Sequence, residues 1–458
     1  MINNLYLRSF PFTLVSRNII MNVIKGGFGS LSIHENEVFS KGTNLFDGIT
    51  YETSMKKSST VRIAPISQNQ HGPYQFKIEQ KASDFIDLSK TRLYVKAKVI
   101  QDDKTVNGKA IVGTDNITGC GLFLPSLFSS STISINGKQI SELNDDYLNY
   151  KNYLETMLSY GADARKTHLR CSQSTFDVVK EDKTMTDLMG AGSMEGYFPL
   201  NLDLFNGERL FPPGNDILLS LNRAKDNFLL IYTDADTEPT KNYKIIIEDL
   251  QLDVKYIELN SKLEKSVLSR MQKEPVLLPI TKTEIKTESF GQPRSSFELN
   301  SVYTGELPKT ILVLMVETAA LLGTTLKSRP YKFTRGNLKR AFIKYNTLEL
   351  PAIPYEPDGT KESYIRIYRD LFDTLGISTD NVGNALTFDR FYDNSFMLAF
   401  NCNPDKCYHY HLHPKQTGTV NLKIEFSSPV TTELTVMTVA SYDKVVALSD
   451  GRVTVENV

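Results

Sequence analysis

The segment CNPDKCYHYHLH at 402–413 gathers the residue types that most readily bind a transition metal. In an extended strand alternate side chains share a face, so His409, His411 and His413 would project together, with Cys402 and Cys407 just upstream. Thiolate and imidazole are ligands that zinc prefers. Against that, the two cysteines are loosely spaced for a structural zinc site, and histidines at every second position rarely all reach one ion. An exposed loop and strand edge whose imidazoles meet a neighbouring subunit explains the same residues, so no metal and no cofactor is assigned.

A second cluster is electrostatic. Lys327, Arg329, Lys332, Arg335, Lys339, Arg340 and Lys344 follow one another with no acid between them. Such a run could neutralise DNA phosphates. A solvated loop and strand face, or one that meets an acidic neighbour, is the simpler reading. Catalytic signatures are missing. The stretch from Gly161 to Thr167 lacks the second glycine of a phosphate-binding loop, and His34-Glu35 is not followed by a histidine at metalloprotease spacing. There is no G-x-S-x-G elbow either. No enzymatic activity is expected.

The elements that position these residues belong to a chain of 458 residues, more than one hydrophobic core usually supports, so two domains are expected. Lys and Arg total 52 against 53 Asp and Glu, which leaves no global pull toward nucleic acid or membrane. Trp is absent, but 24 Phe and 22 Tyr supply aromatic area for cores and interfaces. Four cysteines are too few for a disulfide framework and suit a reducing compartment. The strongest apolar run, 310–316, is too short to cross a bilayer. Met21 is read as the start of the chain proper, with 1–20 as an upstream extension.

Residues 21–73 show little periodicity, which predicts an extended arm, with order beginning near Tyr74. The segment YQFKIEQ reads as a strand, and RLYVKAKVI at 92–100 alternates strictly, with Leu93, Val95, Ala97 and Val99 on one face. Asn136-Gly137 lies between alternating apolar residues and predicts a tight hairpin. A helix follows, carrying Tyr147, Tyr150, Leu154, Met157 and Leu158 on one face, with Gly161 placed to end it. Further strands are expected at 197–205, 217–222, 228–232 and 243–259, then a helical connector at 260–273. The second half repeats the plan: strands near 283–289, 295–300, 310–316 and 341–350, a helix near 363–375, then TVNLKIEF, ELTVMTVASY and a last pair of strands joined by Asp450-Gly451. Short, regularly spaced strands predict sandwiches or barrels. Tyr150, Tyr153, Leu154, Met157 and Leu158 share their spacing with Tyr364, Ile367, Tyr368, Leu371 and Phe372, which suggests an internal duplication. Amphipathic helices sharing a period by default is the alternative.

Several segments, taken in order, resemble the major capsid proteins of Polinton (Maverick) elements and the related adintoviruses. They are DFIDLSKTRLYVKAKV at 84–99, LFLPSLFSSSTISINGKQI at 122–140, YKNYLETMLSYGADARKTHL at 150–169, DLMG at 187–190 and LDLFNGERLFPPGNDILLSLNRAKDNFLL at 202–230. In the second half YTGELPKTILV at 303–313, YRDLF at 368–372, GTVNLKIEF at 418–426 and VMTVASYDKVVAL at 436–448 fit as well. The resemblance implies a mainly β chain: a double jelly-roll of two eight-stranded antiparallel β-sandwiches with short helices in loops. The domain plan is an N-terminal extension at 1–73, a first jelly roll at 74–259, a connector at 260–275 and a second jelly roll at 276–458.

It further implies a hexon-like structural protein that homotrimerises into pseudo-hexameric capsomers and forms an icosahedral shell around double-stranded DNA. The implied place is the virion capsid, assembled inside the host cell in the nucleus, with a minor capsid or penton protein as a further partner. Such elements encode adenovirus-type maturation proteases. Ile24-Lys25-Gly26-Gly27 resembles their cleavage consensus, with cutting between Gly27 and Phe28, and Leu188-Met189-Gly190-Ala191-Gly192 fits a second form inside a folded domain. Two other function classes compete: a two-jelly-roll glycan-processing enzyme with carboxylates in the groove between domains, and a jelly-roll lectin or adhesin.

Overall fold

Hydrogen-bonded strand pairs set the order of the chain. The computed structural model describes residues 51–67, 69–80, 83–102, 107–111, 115–172, 189–190, 192–234, 241–291, 294–381, 383–403, 414–449 and 452–457. Along the first half run β1 (Met55–Ile63), β2 (Tyr74–Ile78), β3 (Asp84–Asp102), β4 (Asn107–Ala110), β5 (Ile117–Gly119), β6 (Phe128–Ile135), β7 (Lys138–Gln139), β8 (Met194–Pro199), β9 (Ile217–Arg223), β10 (Leu230–Tyr232) and β11 (Tyr243–Leu259). The second half holds β12 (Val276–Phe290), β13 (Arg294–Glu306), β14 (Thr310–Glu317), β15 (Leu338–Tyr345), β16 (Leu348–Tyr355), β17 (Met397–Asn401), β18 (Thr417–Val430), β19 (Leu434–Ser449) and β20 (Arg452–Asn457).

One sheet of the first half is ordered β1-β11-β3-β8, with β4 also on β3, and the other β2-β9-β6-β7. In the second half the orders are β12-β19-β14-β17, with β20 beside β19, and β13-β18-β15-β16. Setting aside β4, the β5–β10 pair and β20, and counting eight strands along each half, both halves read 1-8-3-6 in one sheet and 2-7-4-5 in the other. That is a jelly roll, made twice. Pairing along these sheets is antiparallel.

Alternation explains which faces are inside. Leu93, Val95, Ala97 and Val99 of β3 are buried, as are Val420, Leu422, Ile424 and Phe426 of β18. In β14 the burial is continuous from Val313 to Val316, because that sheet is covered on both faces. Helices sit at matching places. α1 (Leu148–Ser159) lies between β7 and β8, α2 (Ser261–Met271) links the rolls, and α3 (Ile365–Leu375) lies between β16 and β17. The Asn260 side chain caps α2 by accepting from the Lys262 amide. Gly376, at φ 71°, ends α3 in the left-handed conformation that glycine tolerates.

The structure departs from the sequence reading at five places. The strand expected at 228–232 begins only at Leu230, after a short helix at Asp226–Leu229. Met55–Ile63, inside the expected arm, is an ordered edge strand paired with β11. Eight of its nine residues are exposed, so it shows no apolar alternation to read. Gly161 does not end α1: the helix stops at an extended Tyr160, and Gly161 precedes the short helix Ala162–Lys166. The strand expected at 197–205 ends at Pro199. The single strand expected at 341–350 is the β15–β16 hairpin, turning at Asn346 with φ 54°.

The predicted Asn136-Gly137 turn joins β6 to β7, with φ of 52° and 75°. Asn136 and Asn346 occupy the same hairpin in the two rolls and do the same work. The Asn136 carbonyl oxygen accepts from the Asp216 amide at 3.0 Å, just before β9, and that of Asn346 from the Thr419 amide at 2.9 Å, in β18. Each hairpin is thereby fastened to the start of the seventh strand of its roll. The second clamp requires glycine at 418, since a Cβ there would lie 1.7 Å from Asn346 Oδ1. Gly418→Ala should therefore lower stability by about 1–3 kcal/mol in urea unfolding. Gly291→Ala, where a Cβ meets nothing within 4 Å, serves as the near-neutral control.

Candidate functional site at the junction between the rolls

Helix α1 mixes Asn149, Lys151, Asn152, Glu155 and Thr156 with its apolar residues, a pattern that in isolation reads as a solvated face. In the fold ten of its twelve residues are buried. First-roll segments cover part of it, and β12 and the β14–β15 loop of the second roll close over the rest.

At the centre lies Lys151, with 1% of its side chain exposed. Its ammonium donates to Asp145 Oδ1 at 3.0 Å and to Asp203 Oδ1 at 2.6 Å, both carboxylates being buried as deeply. The second roll contributes Lys282 from β12, whose Nζ lies 3.4 Å from Asp203 Oδ2 and 3.8 Å from Asp145 Oδ1 and donates to the Asn144 carbonyl at 2.8 Å. The Thr283 amide donates to Asp203 Oδ2 at 3.1 Å, and Ser131 Oγ donates to Asp145 Oδ2 at 3.3 Å. Two cations thus face two anions, with the remaining carboxylate oxygens hydrogen-bonded. Compensation of this kind is what allows charges to leave water.

Burial works against the Lys151 ammonium, but Asp203 and Asp145 outweigh it and hold its pKa above the ordinary value. Burial, opposed by Lys151 and reinforced by Asp203, raises Asp145. Half-buried Glu155, one helical turn from Lys151, is pushed up to about 8, first by burial and then by the two aspartates, against the pull of Lys151. It is therefore mainly protonated at neutral pH, and the cluster of two lysines and two aspartates stays balanced.

Beside this cluster the rolls share an aromatic block. Tyr153 of α1 stacks on Tyr331 at 4.0 Å between ring centroids, and Tyr150 meets Tyr331 edge-on at 5.3 Å. The hydroxyls of Tyr331 and Ser126 are hydrogen-bonded at 2.7 Å, and Tyr150 OH donates to the Pro330 carbonyl at 3.1 Å. Further ties run from Arg165 to the Asn384 carbonyl, from Tyr147 OH to Thr287 Oγ1 and from Arg209 to the Leu277 carbonyl. Apolar burial, aromatic pairing and paired charge together hold the two rolls as one unit.

A cleft of about 700 Å³ opens beside the junction, lined by Glu142, Asp146, Glu284, Glu306, Tyr303, Tyr442 and Lys444 among others. Two of its carboxylates are already engaged. Glu142 is held below the usual carboxylate range by a backbone amide and Ser141, and Glu306 is tied to Lys444 at 2.8 Å.

The residues singled out from sequence lie elsewhere. Arg335 lies over the Tyr392 ring at 3.8 Å, while Arg340 pairs with Glu356 and Lys344 with Glu349. Lys327, Lys332 and Lys339 are exposed, and Arg329 is half-buried. Cys402 is buried. Cys407, His409, His411 and His413 lie outside the described residues, as do Gly27 and Phe28. Among the described residues no group of three His, Cys, Asp or Glu is placed to hold a metal ion. No helix among them is long and apolar enough to cross a membrane. Sequence reasoning missed Asp145, Lys151, Asp203 and Lys282, which come from three separate stretches of the chain and look like ordinary surface charges.

No protein-family profile and no curated protein matches the chain. Solved structures do. A chain of the cryo-EM structure of the Sputnik virophage superposes with TM-score 0.66 at 10% identity, covering 94% of each chain. The Faustovirus major capsid protein gives 0.59 at 10% identity over 94% of this chain and 97% of that one. A chain of the PBCV-1 virus capsid gives 0.57 at 12% identity over 90% and 99%. The fold is the double jelly-roll. Nearly the whole chain takes part in it, and at this identity the likeness establishes the shared double jelly-roll architecture.

Two outcomes follow from the junction. Lys151→Met keeps the length of the side chain but leaves Asp145 and Asp203 short of their main cation, so equilibrium unfolding should show a loss of about 3–5 kcal/mol. For Glu155 the folded pKa of about 8 lies above the ordinary 4.5, so its proton stabilises the fold fully at low pH and less as pH rises between those values. Glu155→Gln should accordingly gain in melting temperature over the parent as pH goes from about 5 to about 9, with no gain at the acid end, read by scanning calorimetry.

Proposed function

We propose that this chain is the major capsid protein of a Polinton (Maverick) element or adintovirus, a subunit that homotrimerises into pseudo-hexameric capsomers and builds an icosahedral shell around double-stranded DNA. The observation that carries the reading is the repeat itself: two rolls of one strand order, fixed side by side by a buried junction, in a fold shared over 94% of the chain with a chain of the Sputnik virophage. Three such chains offer six similar corners, which suits a hexagonal lattice. Closed sandwiches also make rigid walls with few open strand edges. The domain plan of two rolls joined by the 260–275 connector belongs to this reading, with Met55–Ile63 counted in the first roll.

The role is structural, at the virion capsid, with assembly in the host nucleus and a minor capsid or penton protein as partner. Lys327, Arg329, Lys332, Arg335, Lys339, Arg340 and Lys344 are the candidates for contact with packaged DNA. Three of them are already engaged by Tyr392, Glu356 and Glu349, so a solvated or neighbour-facing loop is preferred. Cleavage between Gly27 and Phe28 would trim the arm. A glycan-processing role in the inter-roll cleft has less support, because Glu142 is held as a carboxylate and Glu306 is neutralised by Lys444.

Light scattering of the purified protein, followed by negative-stain imaging, tests the proposal. A three-chain mass and particles of hexagonal outline are expected. A chain that stays monomeric at high concentration overturns it.

A further inference from the structure

The register of the second roll sets two basic regions far apart. β12 begins at Val276, just after α2, and pairs with β19 so that Val276 faces Leu448 and Phe290 faces Leu434. β14 pairs with the other side of β19 and ends at Glu317, also level with Leu434. The loop that follows, carrying Lys327, Arg329, Lys332 and Arg335, therefore leaves the sheet at the end remote from α2. From Val276 to Phe290 is about 45 Å of strand. The basic loop and the connector helix are separate surfaces.

In α2 the apolar residues Leu263, Val267 and Met271 recur at every fourth position and form one stripe. Val267 packs on the small cluster of Phe85, Ile257 and Leu259. The stripe thus faces the protein, and the opposite side of the helix faces solvent. Lys262, Lys265, Ser266 and Ser269 are exposed there, as is Lys273 in the turn that closes the helix. The acids of this segment are engaged elsewhere: Glu264 lies near Lys56, and Glu274 pairs with Arg270 at 2.8 Å. Among the described residues Lys262, Lys265 and Lys273 have no acidic partner. In a chain whose charges otherwise balance, this face is cationic and open.

Its length narrows the choice of partner. From Lys262 to Lys273 the helix axis rises about 16 Å, over which one strand of duplex DNA presents about five phosphates. A row of anions matches this row of ammonium and hydroxyl groups, whereas one small anion leaves most of it unmatched. A helix that lies in a membrane surface sinks its apolar side among the lipids. That side of α2 is already committed to the protein, so a bilayer is the poorer match.

We infer that the outer face of α2 binds the phosphate backbone of duplex DNA through Lys262, Lys265 and Lys273. The inference rests on the shell reading, which places double-stranded DNA beside the chain, and assigns the contact to the connector instead of the 327–344 run. Backbone contacts of this kind position a duplex without reading its sequence.

Anisotropy of a short fluorescent duplex, titrated with the full-length protein at several salt concentrations, tests it. Three phosphate contacts in each chain give a slope of log affinity against log salt of about −2.7 or steeper, a loss of at least about 40-fold for a fourfold rise in salt. The combined variant Lys262→Gln, Lys265→Gln, Lys273→Gln should flatten the slope by about 2.7, with circular dichroism and mass by light scattering unchanged. Lys327→Gln with Lys332→Gln should bind as the parent does. Phosphatidylserine vesicles should not be retained by the parent. A parent that ignores the duplex at low salt overturns the inference. So does a helix variant with the parental slope, an equal loss in the 327/332 variant, or vesicle binding that needs the three lysines. If the parent is trimeric and the helix variant keeps its slope, only this surface fails; if the parent is monomeric, the homotrimer reading fails whatever the duplex does.

Discussion

A lysine ammonium with 1% of its side chain exposed can exist only where anions are held in place for it. In this chain the anions come from two loops of the first roll, Asp145 before α1 and Asp203 after β8, and the second roll reaches them with Lys282 and the Thr283 amide. The rolls are therefore placed by hydrogen bonds of defined direction as well as by the aromatic block beside them. Apolar packing alone tolerates sliding; a buried cation facing two carboxylates tolerates very little. This gives the unit a fixed angle between the rolls.

The two rolls share strand order and share the asparagine clamp, yet they use their helices differently. α1 is buried on nearly every side and carries polar residues into the junction, whereas α3 keeps Ile367 and Leu371 inside and turns Ile365, Arg366 and Arg369 outward. One topology thus supplies an inner wall in one roll and an outer face in the other. The difference lies in a handful of side chains.

Much of the fold was legible because local rules and tertiary context agree. Alternation in β3 and β18, the Asn136-Gly137 turn and the glycine that ends α3 each follow from backbone preferences that the packing leaves unchanged. Legibility failed where the pattern was set by distant neighbours. β1 has no apolar face, eight of its nine residues being exposed, and the β15–β16 turn uses Asn346 without a following glycine. The junction was invisible for a related reason: Asp145, Lys151, Asp203 and Lys282 are ordinary polar residues until three separate segments converge. The basic run at 327–344 did stand out by composition yet its charges are not part of the junction cluster, since density of a residue type along the chain says little about what is enclosed in space.

In both sheets of order 1-8-3-6 the eighth strand of the roll sits in the middle: β11 between β1 and β3, and β19 between β12 and β14. A nascent chain that has not yet produced β19 can pair β14 with β17 but leaves β12 and β14 apart with a strand-wide gap, so the sheet cannot close across its width. Each roll is a clasp whose tongue arrives at the end. Ribosomes that stall or terminate ahead of β19 release chains whose second roll lacks the centre of a sheet and not merely its rim. The winding of the strands thereby sets finished chains, whose sheets can close, apart from unfinished ones.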